Sequence, residues 1–106
     1  MNASASPNTA SGSGSGAASS GLVTTTGTTT ATPSGGTAPY TYAWTRVSGD
    51  ITISINSPSA ATTSFTASVA DGVPKEAAFK CTITDANGTI VETNEVSVYL
   101  EWFDTR

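Results

Sequence analysis

The chain has 106 residues, enough for one domain around one hydrophobic core. Charged residues make up only 11% and hydrophobic ones 37%, and the difference is filled by Thr, Ser, Ala and Gly, residues that suit extended backbone and tight turns. Histidine is absent, which removes the commonest general base and metal ligand, and a net charge of −4 with four basic residues argues against binding nucleic acid through its phosphates.

Residues 1–21 read as a Gly/Ser/Ala-rich N-terminal arm, with an edge strand available at 4–7, where Pro7 costs no ladder hydrogen bond. Such an arm is either a flexible tether, reaching up to ~70 Å when extended, or a segment that orders by adding a strand to a neighbouring sheet. Its opening, MNASASPNTASGSGSG, lacks the basic start and apolar middle of a secretion signal, so synthesis in a cytoplasm without a recognisable export leader is expected. No apolar run is long enough to cross a bilayer, and membrane insertion is not expected.

Residues 22–103 read as the folded domain. Leu22 to Thr32 is rich in β-branched side chains and forms a strand interrupted near Gly27. After the turn at Pro33-Ser34-Gly35-Gly36, Tyr40, Tyr42 and Trp44 alternate with small residues as a strand with one aromatic face. Ile51, Ile53 and Ile55 alternate as a half-buried strand, and Phe65, Ala67 and Val69 share a face of the next. Phe79, Cys81 and Ile83 point inward with Lys80 and Thr82 outward, and Asn87-Gly88 marks a hairpin. Val96, Val98, Leu100 and Trp102 then line one face, with Ser97, Tyr99 and Glu101 on the other. About seven short strands with turns between them predict an all-β, antiparallel, Greek-key sandwich with essentially no helix. The expected core comprises Trp44, Tyr42, Phe79, Cys81, Ile53 and Val98. Cys81 is the only cysteine, so the sandwich holds together without a disulfide, and burial as a small hydrophobe is expected for it.

Two runs resemble a known family. Gly36-Thr37-Ala38-Pro39-Tyr40-Thr41-Tyr42-Ala43-Trp44 is similar to the stretch that opens the third strand of PKD-like and bacterial immunoglobulin-like domains. Phe79-Lys80-Cys81-Thr82-Ile83-Thr84-Asp85-Ala86-Asn87-Gly88 is similar to their penultimate strand and turn. The resemblance implies a Trp44 packed at the middle of an immunoglobulin-like sandwich, with Cys81 at the second cysteine position but no partner. Phe79 stands where a tyrosine corner would be, and of the usual continuation after the tryptophan only Gly49-Asp50 remains, shifted along the chain. Small Ser/Thr/Gly-rich domains of this kind are similar to immunoglobulin-like proteins of tailed-bacteriophage virions. That likeness implies a virion component, made in the host cytoplasm, attached in many copies to capsid or tail proteins and able to adhere weakly to host or environmental surfaces; the alternative is a stand-alone carbohydrate- or surface-binding adhesion module.

The eight carboxylates are scattered over turns and outward positions, and no histidine stands ready to activate a Ser or Thr, so no enzyme and no catalytic residue is expected. Asp50, Asp71, Asp85 and Asn87 sit in turns where Asp and Asn are simply good turn formers, so neither Ca²⁺ nor any cofactor is expected. The glycosylation patterns at Asn2 and Asn87 are read as accidental. Leu100, Trp102 and Phe103 make an unusually apolar chain end and are candidate partner contacts, while Tyr40 and Tyr99 are candidate contacts to host-surface glycans.

Overall fold

Period-two alternation does pair the chain into strands, and the computed structural model, which describes residues 1–106, contains no helix. Its eleven strands are β1 (Asn2–Ser6), β2 (Thr9–Gly16), β3 (Ser20–Thr24), β4 (Thr29–Ser34), β5 (Thr41–Gly49), β6 (Ser54–Ile55), β7 (Thr62–Thr63), β8 (Phe65–Ala70), β9 (Lys75–Thr84), β10 (Ile90–Glu92) and β11 (Val96–Asp104). The front layer runs β5, β9, β11, β2, with β10 following on from β11 along the same edge of β9. The back layer consists of β1-β4-β7 and β3-β8-β6.

Eleven segments arise from about seven strands because several are broken. Thr24 lies opposite Thr66 and Thr29 opposite Thr63, so β3 and β4 form one bent strand, β7 and β8 another, with two extra residues on the first around Gly27. The Thr25 amide donates to the Phe65 carbonyl across the break, and the Thr25 hydroxyl accepts the Phe65 N–H. Between β10 and β11 the Thr93 hydroxyl accepts the Cys81 N–H at 3.0 Å, standing in for a ladder carbonyl at this bulge.

The first strand is divided between the layers. β1 pairs antiparallel with β4 at the back; beyond Pro7-Asn8, β2 pairs with β11 at the front along its whole length, from Thr9 opposite Ser97 to Gly16 opposite Asp104. That pairing is parallel, the one departure from the expected antiparallel arrangement. Residues 1–21 are therefore corrected from an arm to β1, where the edge strand expected at 4–7 falls at 2–6, then β2, the turn after it and the first two residues of β3. Their composition misleads because the glycines fill the inward positions and the serines the outward ones. Gly14, Gly16 and Gly21 lie against the Trp102 indole, which leaves no room for a Cβ at Gly21.

Phe65, Phe79, Ile83, Leu100, Val69, Val96, Val98 and Cys81 are fully enclosed at the centre. The Phe65 and Phe79 rings lie 4.5 Å apart, and Trp44 meets Phe65 edge-on at 6.3 Å, contacts that contribute about 0.5–1.5 kcal/mol each beyond area burial. The Trp44 indole N–H donates to the Ala60 carbonyl at 2.8 Å. Thr25, Thr29, Thr63 and Thr93 are buried too, each with its hydroxyl bonded, and no buried side-chain nitrogen or oxygen lacks a partner.

The isoleucine alternation overruns its strand. The Asp50 carboxylate accepts the Thr52 N–H at 2.8 Å and closes a turn, leaving Ile51 77% exposed; only Ile53 is buried, and the strand itself is β6. The six back-layer strands carry no charged side chain. Thr24 and Thr66 pair their hydroxyls there at 2.8 Å, as do Thr30 and Thr62 at 2.9 Å.

Candidate functional site

The outer face of the front layer gathers most of the exposed chemistry. Alternation along β11 sends Ser97, Tyr99, Glu101 and Phe103 outward while Val96, Val98 and Leu100 go into the core. β2 sets Ser11 directly opposite Tyr99, Ser13 opposite Glu101 and Ser15 opposite Phe103. On the other flank β9 sets Glu76 opposite Tyr99 and Ala78 opposite Ser97. A bulge in β5 between Arg46 and Ser48 brings Ser48 beside Ala78. Gly49, opposite Ala77 with φ of +96°, allows the close approach that ends this strand.

These residues line an open concavity of about 460 Å³ floored by Ala78 and walled by Thr9, Ser11, Ser48, Glu76 and Tyr99. On the far side of Tyr99 lies a smaller hollow of about 170 Å³, bounded by Asp71, Pro74, Glu101 and Phe103. Tyr99 is the ridge between them. Partial burial, then the neighbouring Glu101 and Glu76 carboxylates, push its phenol above its usual pKa of 10.0, and its hydroxyl donates weakly to Glu101 at 3.5 Å.

The basic residues are engaged elsewhere. Lys75 pairs with Asp50, Lys80 with Glu92 and Arg106 with Asp104, while Arg46 donates to the Gly49 carbonyl. Glu76 and Glu101 have no such counter-charge.

The expected contact residues are dispersed. Leu100 is wholly buried and is corrected from partner contact to core, because it continues the inward face of β11. Trp102 is half-buried, its indole laid on the Gly14, Gly16 and Gly21 backbone and its N–H donating to the Ala18 carbonyl at 2.9 Å. Phe103 is half exposed. Tyr40, half-buried with its hydroxyl donating to the Gly35 carbonyl at 2.8 Å, precedes the residue opposite Thr84, whereas Tyr99 faces Glu76 near the other end of β9. At about 3.3 Å per residue that places the two tyrosines about 30 Å apart along the sheet, too far for one stacking platform. Trp44, Phe79, Cys81, Ile53 and Val98 lie in the core, and Tyr42 is half-buried against it.

The turn carboxylates are likewise separate. Asp50 sits at the Lys75 end of β9 and Asp85 just past its other end. Asp85 spends its oxygens on the amides of Thr89, Asn87 and Thr37, which hold its carboxyl below the usual value of 3.8. The Asn87-Gly88 turn therefore closes on the Asp85 side chain, with only Gly88 at positive φ. No three His, Cys, Asp or Glu side chains come together as metal ligands would. The sequence did not point to Glu76, Ala78 and Ser11 as neighbours of Tyr99, since Glu76 and Ala78 come from the register of β9 against β11 and Ser11 from β2 lying beside β11.

No family model matches the chain, and no curated protein matches it in sequence. Among solved structures it is similar to the solution structure of the PKD domain (329–428) from human KIAA0319, with a TM-score of 0.50 and 14% identity over 100% of this chain and 87% of that one. The layered topology and this likeness together give the chain a PKD-like, immunoglobulin-like β-sandwich fold, built without a disulfide.

Proposed function

We propose that the chain is a non-enzymatic attachment module of a tailed-phage virion, made in the host cytoplasm and carried in many copies on capsid or tail proteins. PKD-like domains are often adhesion or structural modules, which agrees with this role. The observation that carries it is the contrast between a rigid sandwich with every buried polar side chain satisfied and an outward face on which Tyr99, Phe103, Glu76 and Glu101 have no covering layer. Multiple copies would let weak contacts at such a face add through avidity. No cofactor, nucleic acid or membrane enters this role. Co-sedimentation of the purified chain with assembled particles, at a fixed copy number, is the expected result; a chain that stays free beside intact capsids and tails overturns it.

A second role, adhesion to host-surface glycans, is favoured by the exposed Tyr99 ring among the hydroxyls of Thr9, Ser11, Ser48 and Ser97. A glycan array or mucin pull-down separates adhesion from attachment to the particle.

A further inference from the structure

Much of the negative charge that no cation offsets stands around one exposed aromatic ring. Of eight side-chain carboxylates, Asp50, Glu92 and Asp104 are ion-paired, which leaves Asp71, Glu76, Asp85, Glu95 and Glu101 without a counter-ion. Three of these five stand by Tyr99: Glu76 directly across in β9, Glu101 two residues along β11 on the same face, and Asp71, which accepts the Asp104 N–H at 3.1 Å and lines the 170 Å³ hollow beside the ring. Asp85 is held by backbone amides past the far end of β9. No Lys or Arg lines either hollow beside the ring. Three of the four basic side chains are held in ion pairs.

A ring face presents partial negative charge, and a cation above it is attracted more strongly when carboxylates stand at the ring edge. The guanidinium suits this arrangement better than an ammonium, since it is flat, stacks on aromatic faces and donates in a fork to carboxylates. The backbone nearby suits an extended segment. β9 begins at Lys75, opposite Leu100, so residues 101–103 have a strand neighbour in β2 but none on the other side, where the 170 Å³ hollow opens.

We infer that the Tyr99 face is the docking surface for an extended, arginine-bearing segment of a partner protein, with the guanidinium laid over the Tyr99 ring between Glu76 and Glu101 and the segment running along the hollow beside Phe103. This rests on the proposal that the chain is an attachment module and names the chemistry of what it attaches to.

The test uses the full chain, isotope-labelled, titrated with the peptide acetyl-Gly-Ser-Arg-Gly-Ser-Arg-Gly-Ser-amide, with its glutamine counterpart and with the neutral sugar chitotriose. The arginine peptide is expected to shift the amides of Ser11, Ala78, Tyr99, Glu101 and Phe103, the shifts weakening as salt rises, while the glutamine peptide leaves them in place. Glu76→Gln and Glu101→Gln together should weaken binding about fivefold, and Tyr99→Ala at least as much, whereas Glu95→Gln, which also removes one carboxylate, should change it less than about twofold. All four positions are at the surface, and the native amide spectrum of each variant verifies its fold. Shifts scattered over every carboxylate, equal losses from Glu95→Gln and Glu101→Gln, or a Tyr99 face that responds to chitotriose and not to the arginine peptide each overturn the inference. If the peptide fails while the chain still co-sediments with particles, the docking chemistry is wrong and the attachment role stands. If the peptide binds and the chain stays free of particles, the reverse holds.

Discussion

The side-chain amide of Asn94 pairs with the backbone of Ala5 as a neighbouring strand would, accepting the Ala5 N–H at 2.9 Å and donating to its carbonyl at 3.2 Å across 89 residues of sequence. One side chain thus caps the outer edge of β1 and ties the back layer to the link between β10 and β11. An unpaired strand edge is a template for aggregation, and here a single residue occupies its middle.

Asn94→Ala is therefore expected to lower stability by about 1–2 kcal/mol, read from the midpoint of urea unfolding, and to speed hydrogen exchange at Ala5. Asn94→Asp should cost at least as much, since a carboxylate accepts the Ala5 N–H but cannot donate to the carbonyl. Equal stability of Asn94→Ala and the parent would show that the pairing contributes nothing.

The Trp102 indole and the glycines beneath it should couple energetically. Gly21→Ala places a methyl group inside the ring and should destabilise by about 1–3 kcal/mol. In a Trp102→Ala background the same change should cost well under half as much, because the clash is gone. A double-mutant cycle with tryptophan fluorescence measures this. Additive costs would mean that the ring does not rest where described.

Acid should weaken the fold partly through Asp85. Its carboxyl is held below the ordinary value by the Thr89 amide above all, with Thr37 and Asn87 adding to it, whereas the unfolded chain titrates normally. A depressed native pKa contributes stability that is complete above the unfolded pKa and lost as pH falls through the native one, so the loss sets in below about pH 4. Asp85→Asn should flatten the acid limb of the unfolding midpoint measured against pH, without abolishing it. Asp50, lowered by Thr52, and Asp104, lowered by Arg106, titrate in the same direction.

Cys81 is fully enclosed, and burial pushes its thiol above the usual 9.0. A thiol reagent at pH 8 should leave it unmodified in the native chain and react stoichiometrically in denaturant. Modification of the native chain at the rate of a free thiol would contradict the packing.

The middle of the chain was legible because Tyr42 to Trp44, Phe65 to Val69 and Phe79 to Ile83 alternate apolar and small residues, and each set is inserted into the same core. The alternation from Val96 to Trp102 was legible as well, and Leu100 was misassigned only because it lies near the chain end. The first 21 residues were opaque for a different reason. Gly12, Gly14 and Gly16 occur at every second position with Ser11, Ser13 and Ser15 between them, a period of two written in residues without hydrophobicity. What makes that pattern structural is the Thr24-Thr25 backbone against Gly12 and the Trp102 indole against Gly14 and Gly16, the latter 86 residues or more along the chain, and sequence separation on this scale hides the contact. The Tyr99 site was obscured by the same omission, since its concavity exists only once β2 lies beside β11.

Because the six back-layer strands hold no charge, the net charge of −4 is borne by the front layer and the turns, which gives the particle two sides with different responses to its medium. Ionic strength tunes how the front approaches a charged body and leaves the hydroxyl-covered back indifferent. A copy drawn in by its front would present that back outward, so an array of such copies would coat its support with a neutral, alcohol-like skin.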